Sequence, residues 1–398
     1  MNTLDRLFAK QSLLDAWEEH KASFPKRTLS GVDGITRTDF ANTIEQQVAD
    51  ISERVRFKAF GFSKLRPIAI PKENGGIRLI NVPTIRDRFV QKVLVRFLSE
   101  QYGESWKVPS SFSSLKGTGD GVQNSLETVR KLLKPTDFVI RADLSKYFDT
   151  IDRPQMREVI KSKVRHRSLH ELLFGALACE TAIRSGEEKA IFQKAGLKAG
   201  CGIRQGMPLS PIFSYLFLLN VDRQVEGGFH RYVDDLLFFG ADKLTVESHF
   251  QAYRAAVTKR GLRVHEMGTP KEKPKTVLIG PRNNFDFLGI KLVRAGPGAI
   301  RFEIPPTSRK RIETEVLEAC EIDLGDARKQ KNWLLTSANK ANNLVRNYRG
   351  AYGFCSDWPQ FEKTLKQLQL AMCRRIVAQL SHAEKRASAD TLLRLFGI

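Results

Sequence analysis

The run Phe229-His230-Arg231-Tyr232-Val233-Asp234-Asp235-Leu236-Leu237-Phe238-Phe239-Gly240 sets two adjacent carboxylates inside a stretch that otherwise reads as two buried strands. Burying an ionised carboxylate without compensation is expensive. The pair therefore requires either an exposed turn between the strands or a cation that meets it. Aspartate is a common turn residue, so the motif alone divides about evenly between the two readings.

The charge balance bears on that choice. The 398 residues suffice for a sizeable core, in one large domain or two to three small ones. They carry 65 Lys+Arg against 44 Asp+Glu, a formal net charge of +21. Such an excess is the electrostatic footprint of a polyanion binder. From Arg54 to Arg78 there are seven basic residues and a single acid, Glu73. The excess is spread along the chain, which fits a folded basic surface better than a disordered arm.

Other site classes find little support. Cys179, Cys201, Cys320, Cys355 and Cys373 are scattered without a C-x-x-C, against a zinc module or a secreted disulfide framework. His166 and His170 stand at helical spacing, but no Glu follows His166 as a zinc protease needs, so they read as surface or phosphate-side histidines. Met1 to His20 is an amphipathic helix pattern rather than a signal peptide. No apolar run approaches the length of a membrane span, and the expected compartment is the cytoplasm.

Periodicity predicts a helical start, a Gly/Asp-rich loop at Ser30 to Ile35, and a second helix opened by Thr38-Asp39. Strands follow over Leu65–Ile70 and Ile77–Val82, with a turn at Glu73 to Gly76, then a helix from Thr84 to Tyr102. Phe138 to Asp143 is a buried strand ending on an acid, and helices continue to about residue 182. Gly202 to Pro211 is a loop, Ile212 to Val221 an apolar helix, and Val246 to Arg260 another. Thr276–Ile279 and Phe285–Leu292 are further strand segments, and after Pro305-Pro306 the pattern turns helical to the end. The class is α+β with an antiparallel central sheet, and Pro306 is the clearest domain boundary.

Asp143 lies far upstream of Asp234-Asp235, so only the fold could unite them. Taken singly, a strand-end Asp is often just a helix N-cap. Phosphoryl transfer gives a reason to unite them: two divalent ions about 3.5–4 Å apart stabilise the attacking and leaving oxygens. Mg²⁺ is held by one or two carboxylates plus substrate phosphates.

Tyr232-Val233-Asp234-Asp235 resembles the Y-x-D-D signature of reverse transcriptases, and five further motifs appear in that family's order. Ala142 to Asp149 resembles the palm strand with the first metal-binding Asp, and Gly202 to Pro211 the Q-G-x-x-x-S-P loop. Arg66 to Lys72, continuing through Gly76-Ile77-Arg78 to Pro83, resembles the fingers hairpin. Lys275-Thr276 and Phe285 to Gly289 resemble the last two palm motifs, so the likeness covers about residues 30 to 292.

The resemblance implies a right-hand polymerase. An N-terminal helical extension of the fingers would occupy residues 1–62, fingers and palm 63–305, and a helical thumb 306–398. It implies RNA-templated extension of a 3′-OH by dNTPs with two Mg²⁺ ions, Mn²⁺ being a possible substitute, and a cDNA product. Asp143 and Asp234 would be the metal ligands, joined by the Leu144 carbonyl and tuned by Asp235. Phe148 would be the steric gate against a ribose 2′-OH, with core packing as its plain alternative. Lys72 and Arg78 would clamp the triphosphate, where solvated hairpin charge is the alternative for either alone. Gln205 would meet the nucleotide sugar or template base, and Lys275, with Lys273 nearby, the leaving pyrophosphate. Gly206, Tyr232 and Val233 would face primer and template, and Phe287-Leu288-Gly289 would support the primer end.

Gly31-Val32-Asp33-Gly34, Val82 to Gln91 and Ser111-Phe112 are similar to group II intron reverse transcriptases, and Asn343 to Gly350 more loosely to their thumb. Little chain follows for a maturase or DNA-binding extension, and no cysteine pattern suits an HNH endonuclease. The retron strings N-A-x-x-H and V-T-G do not occur, and Arg204 stands where many relatives have proline. The closest resemblance is to stand-alone, unknown-group enzymes of antiphage defence, which implies a structured non-coding RNA as template and partner. The alternatives are a group II intron-type or retron-type enzyme, a splicing or scaffold protein with a vestigial polymerase site, and an RNA-dependent RNA polymerase on the same fold.

Overall fold

A computed structural model describes residues 2–23, 28–71, 76–112, 121–225, 227–268, 274–294, 300–320 and 333–384. The chain divides into two compact units, one of Met1–Val129 with Phe138–Leu278, the other of Arg130–Asp137 with Ile279–Ile398.

In the first unit, helices α1 (Thr3–Leu7), α2 (Lys10–His20), α3 (Arg37–Asn42) and α4 (Ile44–Arg56) come first. The helix expected to open at Thr38-Asp39 begins earlier. Thr36 caps it, accepting from the Asp39 N–H while the Asp39 carboxylate accepts from the Thr36 N–H. Strands β1 (Arg66–Pro71) and β2 (Ile77–Val82) form the expected hairpin, paired antiparallel. Helix α5 (Ile85–Trp106) follows, its N-cap Thr84 accepting from the Asp87 N–H.

The main sheet has the order β3-β5-β6-β4-β7: Ser111–Phe112, Phe229–Tyr232, Asp235–Gly240, Phe138–Asp143 and Val277–Ile279. The β4–β6 and β5–β6 pairs are antiparallel as expected, while β3 runs parallel to β5. Helix α6 (Val122–Leu132) precedes β4. Helices α7 (Tyr147–Thr150), α8 (Arg153–Lys163), α9 (His170–Leu177) and α10 (Gly186–Lys194) follow it. Helices α11 (Ser210–Asp222) and α12 (Lys243–Thr258) flank β5 and β6 in sequence.

The core lies where these elements meet. Ile140 and Ala142 of β4, Leu236 and Phe238 of β6, Phe213 and Phe217 of α11, and Phe250 and Tyr253 of α12 share one buried cluster. Leu237 and Phe239 are buried as well, so β6 has no wet face. That explains its unbroken apolar run, where a half-exposed strand would alternate.

In the second unit, β8 (Phe285–Phe287), β9 (Ile290–Val293) and β10 (Arg301–Glu303) form an antiparallel sheet. Helix α13 (Pro306–Cys320) packs with the helices Trp333–Tyr352 and Trp358–Glu384. Asp357 accepts from the Ile304 N–H and from Arg309, tying the start of α13 to the last helix. Among the described residues no helix is long and apolar enough to cross a membrane.

Phe238 is fully buried, with ring centroids 5.2 Å from Phe229, 5.6 Å from Phe250 and 5.5 Å from Tyr253. Phe238→Ala is expected to cost about 3–5 kcal/mol in urea unfolding. A cost near that of a surface substitution would contradict this packing.

Candidate catalytic site

Strand register brings the acids together. Asp143, the last residue of β4, pairs directly with Asp235, the first of β6. Directly opposed residues project to the same face with Cβ atoms about 4.5–5.5 Å apart. Tyr232 also pairs with Asp235, leaving Val233 and Asp234 as a two-residue turn. The two readings of the motif therefore coincide, because the acids sit at a hairpin turn and converge there on a third carboxylate. Asp143 is not a helix cap, since the cap position of α7 falls to Lys146.

The turn is strained. Val233 has φ 57°, in the left-handed region, where a β-branched side chain is an outlier. Asp234 is not in that region, so only the first central residue has positive φ, as in a type II′ turn, which ordinarily takes glycine there. The surroundings hold it in place. The Val233 N–H donates to the Phe112 carbonyl at 3.1 Å, and the Leu144 N–H to the Asp234 carbonyl at 3.0 Å. The Asp143 carbonyl accepts from the His265 N–H at 3.0 Å.

The acids repel one another. Burial pushes the Asp235 carboxyl up to about 7, with Asp234 and then Asp143 adding to it and Arg141 and Lys275 opposing. Burial also raises Asp234, followed by Asp143, while its own N–H, Lys275 and Arg78 pull it down. The Lys275 ammonium donates to Asp143 Oδ2 at 2.6 Å, and His265 Nε2 lies 3.5 Å from the same oxygen. A cation therefore already sits on the first acid.

Hard carboxylate oxygens crowded in this way suit a hard divalent cation. Among the described residues, no three His, Cys, Asp or Glu side chains converge closely enough to cage an ion alone. The fit is to the open kind of site in which one or two carboxylates are supplemented by substrate phosphates.

The Gly202–Pro211 loop is fastened on two sides. The Ile203 N–H donates to the Phe148 carbonyl at 2.7 Å, and the Asn81 N–H, on β2, to the Gln205 carbonyl at 2.7 Å. Gly206 has φ 109°, and a Cβ there would stand 2.5 Å from the Asn81 carbonyl oxygen, so only glycine fits. Phe148 is half-buried and its ring lies 5.7 Å from that of Tyr147. Tyr147 is buried and its hydroxyl donates to the Ser214 carbonyl of α11.

Phe148, Gln205, Gly206 and the end of β2 are thus linked, and the field of Arg78 on β2 reaches Asp234. Lys72 and Lys273 lie outside the described residues. Phe287, Leu288 and Gly289 belong to the second unit, where Leu288 (φ 52°) and Gly289 (φ 75°) turn the β8–β9 hairpin. His166 and His170, expected as surface or phosphate-side histidines, are half-buried and each is held by a hydrogen bond. The Tyr102 hydroxyl bonds His166 Nδ1, and His170 Nε2 lies 2.8 Å from the Val164 carbonyl oxygen.

Two buried charge clusters went unnoticed in the sequence. Arg204 is buried and donates to Glu180 at 2.6 Å, to the Lys198 carbonyl at 2.7 Å and to the Cys201 carbonyl at 2.9 Å. Glu180 also binds Arg153, which donates in turn to the Gly202 carbonyl at 2.8 Å. This chain braces the loop with an ion-paired fork. The second cluster joins Arg231 to Asp222, both fully shielded from water. Its signal was an Arg inside an apolar strand and an Asp closing an apolar helix.

Residues 70–292, more than half of the chain, match the family described as reverse transcriptase (RNA-dependent DNA polymerase), and the chain belongs to that family. Its fold is accordingly that of a right-hand polymerase. A COX1/OXI3 intron 2 protein of Saccharomyces cerevisiae is 25% identical over 179 residues, covering 45% of this chain and 20% of that protein. Protein YkfC of Escherichia coli is 25% identical over 207 residues, covering 49% and 50%. The expected likeness to intron-type reverse transcriptases is borne out, although the matched part spans only a fifth to a half of these relatives. A telomerase from Candida albicans, solved with a fragment of telomeric RNA, shares 12% identity over 85% of this chain and 63% of that one. Its TM-score of 0.43 is too low to carry an argument.

In metal-free buffer, Asp235 keeps a proton when folded that the unfolded chain, at 3.8, releases. Stability is therefore expected to fall as pH rises from about 4 through about 7. Thermal melts at stepped pH should show the decline, Asp235→Asn should flatten it, and Mn²⁺ should reverse it above pH 7. A melting temperature that does not change over this range would contradict the crowding of the three acids.

Proposed function

We propose that this protein is an RNA-directed DNA polymerase, extending a 3′-OH on an RNA template with dNTPs and releasing pyrophosphate. The observation that carries the reading is the pairing of Asp143 with Asp235 beside the Val233-Asp234 turn, uniting acids from distant parts of the chain. Asp143 and Asp234 are the residues to hold Mg²⁺ or Mn²⁺, with the Leu144 carbonyl beside them and Asp235 tuning their charge. Two such ions, when bound, stabilise negative charge on the attacking and leaving oxygens.

The remaining roles fall to the chain's own groups. Lys275 neutralises Asp143 and, once released from it, stands ready beside the leaving pyrophosphate. Arg78, with Lys72, binds the triphosphate electrostatically. Phe148 blocks a ribose 2′-OH, Gln205 meets the nucleotide or template base, and Gly206 lets the loop backbone approach β2. Tyr232, Val233 and the Phe287-Leu288-Gly289 turn contact primer and template. The net charge of +21 supports binding of the duplex, with affinity falling steeply as salt rises.

The cellular reading is narrower. The unknown-group resemblance favours a cytoplasmic enzyme that copies a structured non-coding RNA in antiphage defence. The relatives from COX1/OXI3 introns favour the second reading, an intron-type enzyme. Sequencing the RNA and DNA that co-purify separates them. One structured RNA with complementary DNA supports the first, and intron RNA with protein-dependent excision the second.

Primer extension tests the activity itself. Asp234→Ala/Asp235→Ala should reduce RNA-templated dNTP incorporation to background, and Phe148→Ala should lower the preference for dNTPs over NTPs. Full activity in the double variant would make the acids structural, and unchanged sugar preference would remove the gate role.

A further inference from the structure

Among the described residues, Arg231 and Asp222 form the one ion pair in which neither side chain is exposed at all. Arg231 Nε donates to Asp222 Oδ2 at 2.9 Å, Nη2 donates to the same oxygen, and the Tyr253 hydroxyl donates to Oδ1 at 3.0 Å. The guanidinium lies 5.5 Å from the Tyr215 ring centroid. The third donor, Nη1, reaches the Val233 carbonyl at 2.9 Å.

Stability does not account for this pair. Replacing a buried ion pair by apolar side chains of similar volume is often neutral or favourable, because desolvation offsets the attraction. What an apolar pair could not provide is the bond to Val233. That carbonyl belongs to the peptide joining Val233 to Asp234, the central peptide of the two-residue turn. The two primed hairpin turns differ in that peptide's orientation: one has positive φ at both central residues, the other only at the first. Here only Val233 has positive φ. Rotating the peptide would swing the Asp234 carboxylate away from its present place near Asp143 and break the Arg231 bond.

We infer that Arg231, oriented by Asp222, is a positioning residue that fixes the central peptide of the turn and thereby aims the Asp234 carboxylate. Asp222 closes α11, whose first residue, Ser210, accepts no role in the turn but donates through its hydroxyl to the Arg204 carbonyl of the nucleotide loop at 2.7 Å. One helix therefore anchors both the loop and the acid. Arg231 works here through donor geometry, since its carboxylate partner keeps it charged. The inference rests on the polymerase reading for its kinetic consequence but not for its effect on the acid.

Two variants separate positioning from packing. Arg231→Met/Asp222→Leu removes both charges, and Arg231→Lys keeps a charge on Asp222 without the fork that also reaches Val233. Each is measured for melting temperature, for kcat and dNTP KM in primer extension, and for Mn²⁺ binding by electron paramagnetic resonance without nucleotide. A folded variant is expected to keep KM within about two-fold and to lose about 10²-fold in kcat, the scale of a misplacement near 1 Å. Mn²⁺ affinity should fall several-fold in parallel. Wild-type kcat and Mn²⁺ affinity in either folded variant would overturn the inference. Should the unaltered protein fail to copy RNA, the polymerase reading falls while the Mn²⁺ comparison still decides whether Arg231 positions the acid.

Discussion

Everything at this site depends on holding like charges together. Asp143, Asp234 and Asp235 are brought together by strand register, and burial with mutual repulsion lifts Asp235 to about 7. The opposing forces are backbone hydrogen bonds and the apolar packing beneath them. Ile140, Ala142, Leu236 and Phe238 lie in the cluster that includes α11 and α12. A one-residue slip of β4 against β6 would send Asp143 to the other face of the sheet. The buried aliphatic and aromatic run thus has a purpose beyond cohesion, because it fixes the register on which the acids depend.

Helix α11 organises what surrounds them. Ser210 at its start binds the loop, the Ser214 carbonyl takes the Tyr147 hydroxyl, and Asp222 at its end takes Arg231 and Tyr253. Tyr215 reaches the Trp106 carbonyl at 2.9 Å, extending the same helix toward the end of α5. Nearly every residue of α11 is buried. A helix buried on nearly every side is a core element, and its few buried polar residues are the ones that bind its neighbours. It gives the Gly202–Pro211 loop, the post-β4 aromatics and the acidic turn a common reference.

Much of this was legible in the chain. The apolar runs ending on acids gave β4 and the β5–β6 hairpin, and the ordered motifs gave the family. The hidden parts are those that local pattern does not encode. Helix α10 buries only Phe192, so its amphipathic signal is faint, and it lies past residue 182, where the periodicity predicts the helices to end. Strand β3, two residues long, exists only through its pairing with β5. The contact of Lys275 with Asp143 and the burial of Arg204 and Arg231 are not encoded locally, because a charge in the sequence does not name its partner. The break between α3 and α4 at Thr43 was likewise absent from a periodicity that continues through it.

The Arg204 brace has a consequence for how this sequence can drift. A proline at that position constrains its loop alone and is indifferent to its neighbours. Arg204 instead shares Glu180 with Arg153, and Glu180 also accepts from the Gly200 N–H at 2.8 Å. Loss of Glu180 would leave two guanidinium groups facing each other in a poorly solvated space, and loss of either arginine would leave the carboxylate half-matched. Positions 153, 180 and 204 are therefore expected to change together in related sequences or not at all, so that proline at 204 should travel with a different residue at 180.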